Sequence, residues 1–142
     1  MTDDPTRIPA PSSGPRVRIE IGIDSMDPEK LAPFWADALG YSIGELDSES
    51  TYLELVAPHG STPVYLQRVP EPKVTKNRLH LDLFTPEPAA VIEHLLEIGA
   101  TESGDAITST GGGWWQVMAD PEGNEFCVCL EEPGGQDRAQ LD

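Results

Sequence analysis

The amino-acid sequence predicts an α+β protein built from two βαβββ units in one chain. Two alternating, β-branched segments, RVRIEIGI and NRLHLDLF, read as strands, and each is followed by an amphipathic helix and further strand-like segments. The second half therefore repeats the first at a spacing of about 60 residues. Each unit covers one face of its sheet with its helix and leaves the other bare. Two such units can curl their bare faces into a shared cup, giving a cup-shaped mixed sheet.

The first unit is expected to begin with a strand over residues 17–23. Asp27 then caps a helix with Pro28 at its first position, and Gly40 ends it. The apolar stripe of this helix includes Trp35, which is predicted to be core. Three strands follow, at YSIGEL, TYLELV and PVYLQRV, separated by turn-forming residues.

The second unit repeats this order. Thr85 is expected to cap its helix, with Pro86 at the first position and Gly99 at the end. Three candidate strands follow, at ATESG, WWQVMA and EFCVCL. Superposing the two units pairs Glu20 with His80, each flanked by apolar residues on the first strand of its unit.

The folded domain is expected to span residues 17–130, with the first unit at 17–70 and the second at 77–130. The segments 1–16 and 131–142 are rich in Pro, Ser, Gly and charged residues and show no apolar period. Such segments bury too little apolar surface to offset the entropy lost on ordering. Both are therefore predicted to be disordered tails.

The formal net charge of −16 argues against nucleic acid and anionic membranes as partners, because an acidic surface repels phosphate groups. No stretch approaches the roughly 20 apolar residues of a membrane span, and the N-terminus lacks the apolar segment of a signal peptide. Cys127 and Cys129 lie two positions apart on one predicted strand, which fits disulfide geometry poorly. Two reduced thiols predict a cytoplasmic protein.

Three motifs carry a family resemblance: DPEKLAPFWADALGY, KNRLHLDL and ADPEGNEFCV. Together, and in this order, they resemble the vicinal oxygen chelate superfamily, which contains glyoxalases, bleomycin-resistance proteins and extradiol dioxygenases. The resemblance is closest to the small glyoxalase-like domain proteins and covers nearly all of residues 17–130. It implies the two-unit cup and a small-molecule ligand, and it implies a homodimer because the rims of such cups often pair. It does not fix a reaction, because one fold hosts many activities.

The resemblance also implies where metal ligands lie in members that use a metal: Glu20, His80 and Cys127 occupy those positions here. The third position is usually a glutamate, and oxygen-rich sites favour carboxylates over a thiol. Two remaining protein ligands hold a metal poorly, since catalytic zinc sites keep three. The sequence therefore predicts no metal cofactor, only a degenerate divalent-metal site at Glu20 and His80.

Further residues are candidates for contacting a ligand. Arg78 lies two residues before His80 and would share its strand face, where its guanidinium could bind a carboxylate. Trp114 and Trp115 are consecutive on a strand, so one of them would form an aromatic wall of the cavity, and the sequence does not decide which. Cys127 would line the same cavity.

Three functions are compatible with these residues. One is a drug-sequestering binding protein, for which the cup and an acidic surface suit a cationic ligand. Another is a metal-independent lyase or isomerase in which Glu20 and His80 act as catalytic acid and base. The third is a metal-dependent glyoxalase or dioxygenase. The sequence favours a small-molecule-binding glyoxalase-like protein whose chemistry, if it has any, needs no metal.

Overall fold

The computed structural model describes residues 18–45 and 51–132 and has two helices and two mixed sheets, which confirms the α+β prediction. The predicted tails lie outside these ranges, except for Glu131 and Glu132. None of the helices in these ranges is long and apolar enough to cross a membrane. In chain order the elements are β1 (Ile21–Ser25), α1 (Pro28–Leu39), β2 (Ser42–Ile43), β3 (Tyr52–Val56), β4 (Val64–Arg68), β5 (Leu81–Thr85), α2 (Pro88–Glu97), β6 (Thr101–Glu102), β7 (Ile107–Thr108), β8 (Trp114–Ala119) and β9 (Glu125–Leu130).

The two sheets repeat one topology. The first has the order β1-β4-β3-β2, with β1 parallel to β4 and the other pairs antiparallel. The second has the order β5-β9-β8-β6, with β5 parallel to β9, and the short strand β7 also pairs with β8. Strands β1 and β5, which open the two units, each lie at the edge of their own sheet. In the described ranges the strands form two sheets rather than one continuous mixed sheet.

Several boundaries differ from the sequence-based prediction. Strand β1 starts at Ile21 rather than at residue 17, β5 starts at Leu81 rather than at residue 77, and β2 has only two residues. Glu20 and His80 therefore lie just before these strands and not on them.

Helix α2 starts at Pro88, because Thr85 still belongs to β5. The hydroxyl of Thr85 accepts a hydrogen bond from the backbone N–H of Glu87 at 3.1 Å, so it stabilises the turn before the helix rather than capping the helix itself.

Helix α1 begins and ends as its sequence predicts. The Asp27 side chain accepts a hydrogen bond from the backbone N–H of Lys30, and Pro28 is the first helical residue. Gly40 follows the helix with φ of +72°, a left-handed conformation that glycine adopts without steric cost.

The core of the protein joins the two units. Phe34 and Trp35 of α1, in the first unit, pack against Phe126 of β9, in the second, with the Trp35 and Phe126 ring centroids 5.1 Å apart. All three side chains are buried. The carboxylate of Glu122 also accepts hydrogen bonds from the hydroxyl of Ser25 and the backbone N–H of Met26. These contacts hold the end of β1 beside the second unit and so position the site.

Candidate functional site

Glu20 and His80 occupy equivalent places in the two units, because each immediately precedes the first strand of its unit. Side chains alternate between the two faces of a strand. In β1 the buried Ile23 and Ser25 face the helix side, whereas Gly22 and Asp24 are exposed. Asp82 is likewise exposed on β5, between two partly buried leucines. The polar positions therefore lie on the face that the helices leave uncovered.

A cavity of about 520 Å³ lies between β1 and the segment that leads into β5. Glu20 and Asp24 line it from the first unit, and Arg78 and His80 line it from the second. Trp35 also reaches it from the core. Both units are thus needed to form this cavity, and it brings together three of the six sequence-predicted site residues.

Glu20 also lines a second cavity, of about 520 Å³, whose other walls include Tyr52, Glu54 and Tyr65. The two tyrosine rings form an edge-to-face pair with centroids 5.8 Å apart. Gly22 permits this arrangement, because a Cβ atom there would lie 2.6 Å from the Tyr65 ring. The Glu20 carboxylate accepts a hydrogen bond from Arg18 at 3.0 Å, in an ion pair that is exposed to solvent.

His80 contacts a different set of side chains on the open face of the second sheet. Its Nε2 atom lies 3.3 Å from Oδ1 of Asp82, and both side chains are half-exposed. Asp82 pairs in register with Cys127 on β9, and the ligand atoms of His80, Asp82 and Cys127 all lie within 4.8 Å of one another. Burial raises the pKa of the Cys127 thiol, and the negative charge and hydrogen bond of Asp82 raise it further.

The metal-ligand set that the family resemblance implies does not form. Among the residues that the structure describes, Glu20, His80 and Cys127 are not a group whose ligand atoms all lie within 4.8 Å of one another. A metal ion needs its ligand atoms about 2.0–2.3 Å away, and hence close to each other. These three side chains, as placed, therefore do not fit a shared ion.

The basic residues between the two units have separate roles. Arg68 donates a hydrogen bond to Glu29 at 2.9 Å. Lys73 donates to the Glu125 carboxylate at 2.7 Å, so it anchors the connecting segment on β9 rather than only keeping that segment soluble. Arg78 precedes β5 by three residues and is not part of the strand, so strand alternation does not orient it. It nevertheless lines the cavity that contains His80.

The two adjacent tryptophans lie on opposite faces of β8. Trp114 packs against the hydrophobic core. Trp115 pairs with Cys129 and so shares the open face with Cys127, by strand alternation. Neither tryptophan is among the residues that line the two cavities beside Glu20.

The sequence analysis did not single out Asp82 or the tyrosine pair Tyr52 and Tyr65. Asp82 could have been found, because residues two apart on a strand share a face and Asp82 follows His80 at that spacing. The tyrosine pair depends on the register between β3 and β4, which places Glu54 opposite Tyr65. That register has no local signal in the sequence.

Comparisons with known proteins agree with this architecture. A solved structure from Sphaerobacter thermophilus, a member of the glyoxalase/bleomycin resistance protein/dioxygenase superfamily, is 22% identical, with a TM-score of 0.62 over 82% of this chain and 98% of that one. An enzyme of the glyoxalase/bleomycin resistance protein/dioxygenase family from Burkholderia phytofirmans is 14% identical, with a TM-score of 0.62 over 78% of this chain and 95% of that one. A glyoxalase-related enzyme from Fulvimarina pelagi is 19% identical, with a TM-score of 0.58 over 81% and 87%.

These identities support the fold alone. A search of the curated proteins found no significant match. The family model described as "Glyoxalase-like domain" matches residues 20–129, which is most of the chain and includes both units. The predicted superfamily is thereby confirmed, and the chain belongs to the glyoxalase-like domain family.

Proposed function

We propose that the protein binds a small organic molecule in the cavity between its two units. The observation that carries this proposal is that Glu20, Arg78 and His80 line one cavity of about 520 Å³. That volume falls within the roughly 300–1,000 Å³ of small-molecule sites, which are mostly apolar with a few polar groups that orient the ligand. Ile21, Leu79 and Leu81 supply the apolar part of the wall.

Arg78 favours a ligand that carries an acidic group. Arg78 forms no ion pair with any other residue in the described ranges, so its guanidinium can contact a bound carboxylate through two parallel hydrogen bonds. His80 lies close by in sequence and lines the same wall. Glu20, on the opposite unit, can accept a hydrogen bond from a hydroxyl or amine of the ligand.

The same pair of residues supports a metal-independent lyase or isomerase as a more specific candidate. Glu20 and His80 enter the cavity from opposite units, and a carboxylate and an imidazole can remove a proton from one position of a ligand and return one at another. The side chains of both are more than 40% exposed, at 42% and 43%, so a ligand can reach them.

The second cavity supports a sequestering role for a cationic ligand. Tyr52 and Tyr65 offer aromatic faces and edges, and Glu20 and Glu54 offer carboxylates. Aromatic rings and carboxylates together attract organic cations. In that case the ligand would bind without being changed.

Saturation-transfer NMR with a set of small carboxylates, small amines and neutral aromatic molecules tests these proposals. The protein is first treated with a chelator, and the same set is run on Glu20→Gln, His80→Gln and Arg78→Ala. His59→Gln is the matched control, because His59 is exposed in a turn and lines neither cavity. We expect carboxylates to bind the wild type and His59→Gln, and to bind Arg78→Ala at least about tenfold more weakly, the loss of a charge-assisted contact.

Running the same samples in D₂O separates binding from chemistry. Exchange of a carbon-bound ligand proton that needs both Glu20 and His80 would support the lyase or isomerase. Binding of amines that depends on Glu20 but not on Arg78, with no exchange, would support sequestration instead. If no molecule in the set binds, or if Glu20→Gln, His80→Gln and Arg78→Ala bind like the wild type, the assignment of the cavity is wrong.

A further inference from the structure

His80, Asp82 and Cys127 form a cluster that the ligand cavity does not account for. The three side chains come from the two adjacent strands β5 and β9 and their entry segment, and the β5–β9 register places Asp82 directly beside Cys127. Their nitrogen, oxygen and sulfur atoms lie within 4.8 Å of one another. Asp82 and Cys127 do not line the cavity that contains His80 and Glu20.

We propose that these three residues bind a divalent transition-metal ion such as Zn²⁺ or Co²⁺. The set differs from the one that the family resemblance implies, because Asp82 takes the place of Glu20. It also differs from the sequence-based expectation that no metal binds. The proposal does not rest on the ligand proposed above, because the cluster forms without one. An imidazole that holds an ion is not free to act as acid or base, so metal binding by His80 and the metal-independent lyase or isomerase exclude each other.

The spacing suits a tetrahedral ion. With metal–ligand bonds of about 2.0–2.3 Å, ligand atoms on a tetrahedron are about 3.3–3.8 Å apart. The His80 and Asp82 atoms are already 3.3 Å apart. Because both of these side chains are half-exposed, they can adjust toward Cys127, which is fixed in the buried sheet. The fourth coordination position of the ion stays open to solvent on this face of the sheet.

The mixture of donors selects the class of metal. Imidazole, carboxylate and thiolate together suit Zn²⁺ and its spectroscopic substitute Co²⁺, whereas Mg²⁺ and Ca²⁺ prefer oxygen ligands alone. Binding must remove the proton of the Cys127 thiol, because the thiolate is the form that binds a metal. The S–H bond breaks, the proton passes to the buffer, and a metal–sulfur bond forms, which leaves two ligand negative charges to balance the ion.

Titration of the reduced, full-length protein with Co²⁺ tests the proposal without any assay of activity. We expect binding of one ion per chain, an ultraviolet charge-transfer band from the Co²⁺–thiolate bond, and release of about one proton per ion in weak buffer. Competition with Zn²⁺ should abolish the band. Circular dichroism of each variant establishes that it is folded.

The variants separate this site from the alternatives. Asp82→Asn changes an exposed side chain and should weaken Co²⁺ binding at least about tenfold. Even residues that only hydrogen-bond to a metal ligand contribute that much to metal affinity. Cys127→Ser should abolish the charge-transfer band. Cys129→Ser is its matched control, because Cys129 is buried on the same face two residues away, and it should retain the band.

Glu20→Gln decides between the two ligand sets. The proposal requires that this variant bind Co²⁺ within about threefold of the wild type, well short of the tenfold effect of a lost ligand. The proposal is overturned if Glu20→Gln weakens binding as much as Asp82→Asn does, if Asp82→Asn has no effect, or if the wild type shows no stoichiometric binding with a thiolate band.

Discussion

The indole nitrogen of Trp35 donates a hydrogen bond to the carboxylate of Asp120 at 2.8 Å, and this contact joins helix α1 of the first unit to the β8–β9 turn of the second. The same carboxylate accepts hydrogen bonds from the backbone N–H groups of Glu122 and Asn124 and from the Asn124 side chain. Asp120 is almost fully buried, with 2% of its surface exposed. The turn at ADPEGN is therefore a structural connection between the units as well as a family motif.

Replacing Trp35 with Phe should lower the free energy of unfolding by about 1–3 kcal/mol, because a buried carboxylate loses one of its donors. Urea denaturation followed by circular dichroism measures this change. Asp105→Asn, in an exposed loop, is the control and should stay within about 0.5 kcal/mol of the wild type. A change of similar size in both variants would show that the Trp35–Asp120 contact does not stabilise the joined units.

The contact between Lys73 and Glu125 should make stability depend on pH. Burial alone raises the pKa of the Glu125 carboxyl, but hydrogen bonds from the Lys73 ammonium and the Asn77 backbone N–H outweigh it and lower the pKa to about 2. A lowered pKa contributes stability that is present above the unfolded-state value of about 4.3 and is lost as the pH falls toward the folded-state value.

Lys73→Ala should therefore be less stable than the wild type at pH 7, and the difference should shrink between pH 4.5 and pH 2, about the window between the two pKa values. Free energies of unfolding measured across this range check the pH dependence of the stability difference. An NMR titration of Glu125 checks its lowered pKa. Lys76→Ala is the control, because Lys76 lies on the same segment and forms no ion pair in the described ranges. If the stability difference between Lys73→Ala and the wild type did not change with pH, the assigned Lys73–Glu125 contact would be contradicted.

The exposed pair formed by His94 and Asp37 links the two helices, with Nε2 of His94 2.8 Å from Oδ1 of Asp37. The hydrogen bond with Asp37 and then its charge raise the pKa of His94 above 6.5. A raised pKa contributes stability that is present below the unfolded-state value and lost as the pH rises through the folded-state value. NMR titration should show a His94 midpoint above 6.5 that falls in Asp37→Asn. An unchanged midpoint in that variant would show that the pair does not form in solution.

Arg78 should contribute more to ligand binding than Lys76, its neighbour on the same basic segment. Once a bound carboxylate has been identified, calorimetric titration of Arg78→Ala and Lys76→Ala compares the two. We expect a clear loss of affinity for Arg78→Ala alone, because Arg78 lines the ligand cavity and Lys76 does not. Small, equal losses would mean that Arg78 is only part of a solvated linker.

The expected homodimer stays a prediction, and two apolar side chains offer a way to test it. Leu79 and Ile19 are 90% and 65% exposed, and they lie beside His80 and Glu20. A contiguous patch of exposed apolar side chains can mark a surface that a partner covers, and we expect Leu79 to lie in such a surface. Light scattering at micromolar concentration should give a dimer mass for the wild type and a monomer mass for Leu79→Ser. Leu96→Ser, on the exposed side of α2, should remain a dimer, and a monomeric wild type would refute the prediction.

The sequence by itself determined the two-unit organisation, the limits of α1 and the equivalence of Glu20 and His80 in the two units. It placed both residues on the first strand of their unit, whereas the structure places them just before β1 and β5. These features follow from local periodicity, from capping residues and from the internal repeat, all of which act over a few residues. The start of α2 was predicted wrongly, because two prolines, Pro86 and Pro88, offered two possible first positions and the local pattern did not choose between them.

The tertiary structure alone decided which side chains meet. The approach of Asp82 to Cys127 and the packing of Trp114 rather than Trp115 against the core both depend on the register between strands that are distant in sequence. A shift of one residue would turn each of these side chains to the opposite face. Register is fixed by the packing of the whole core, where Trp35 and Phe126 join the two units, and not by the residues that flank any one position.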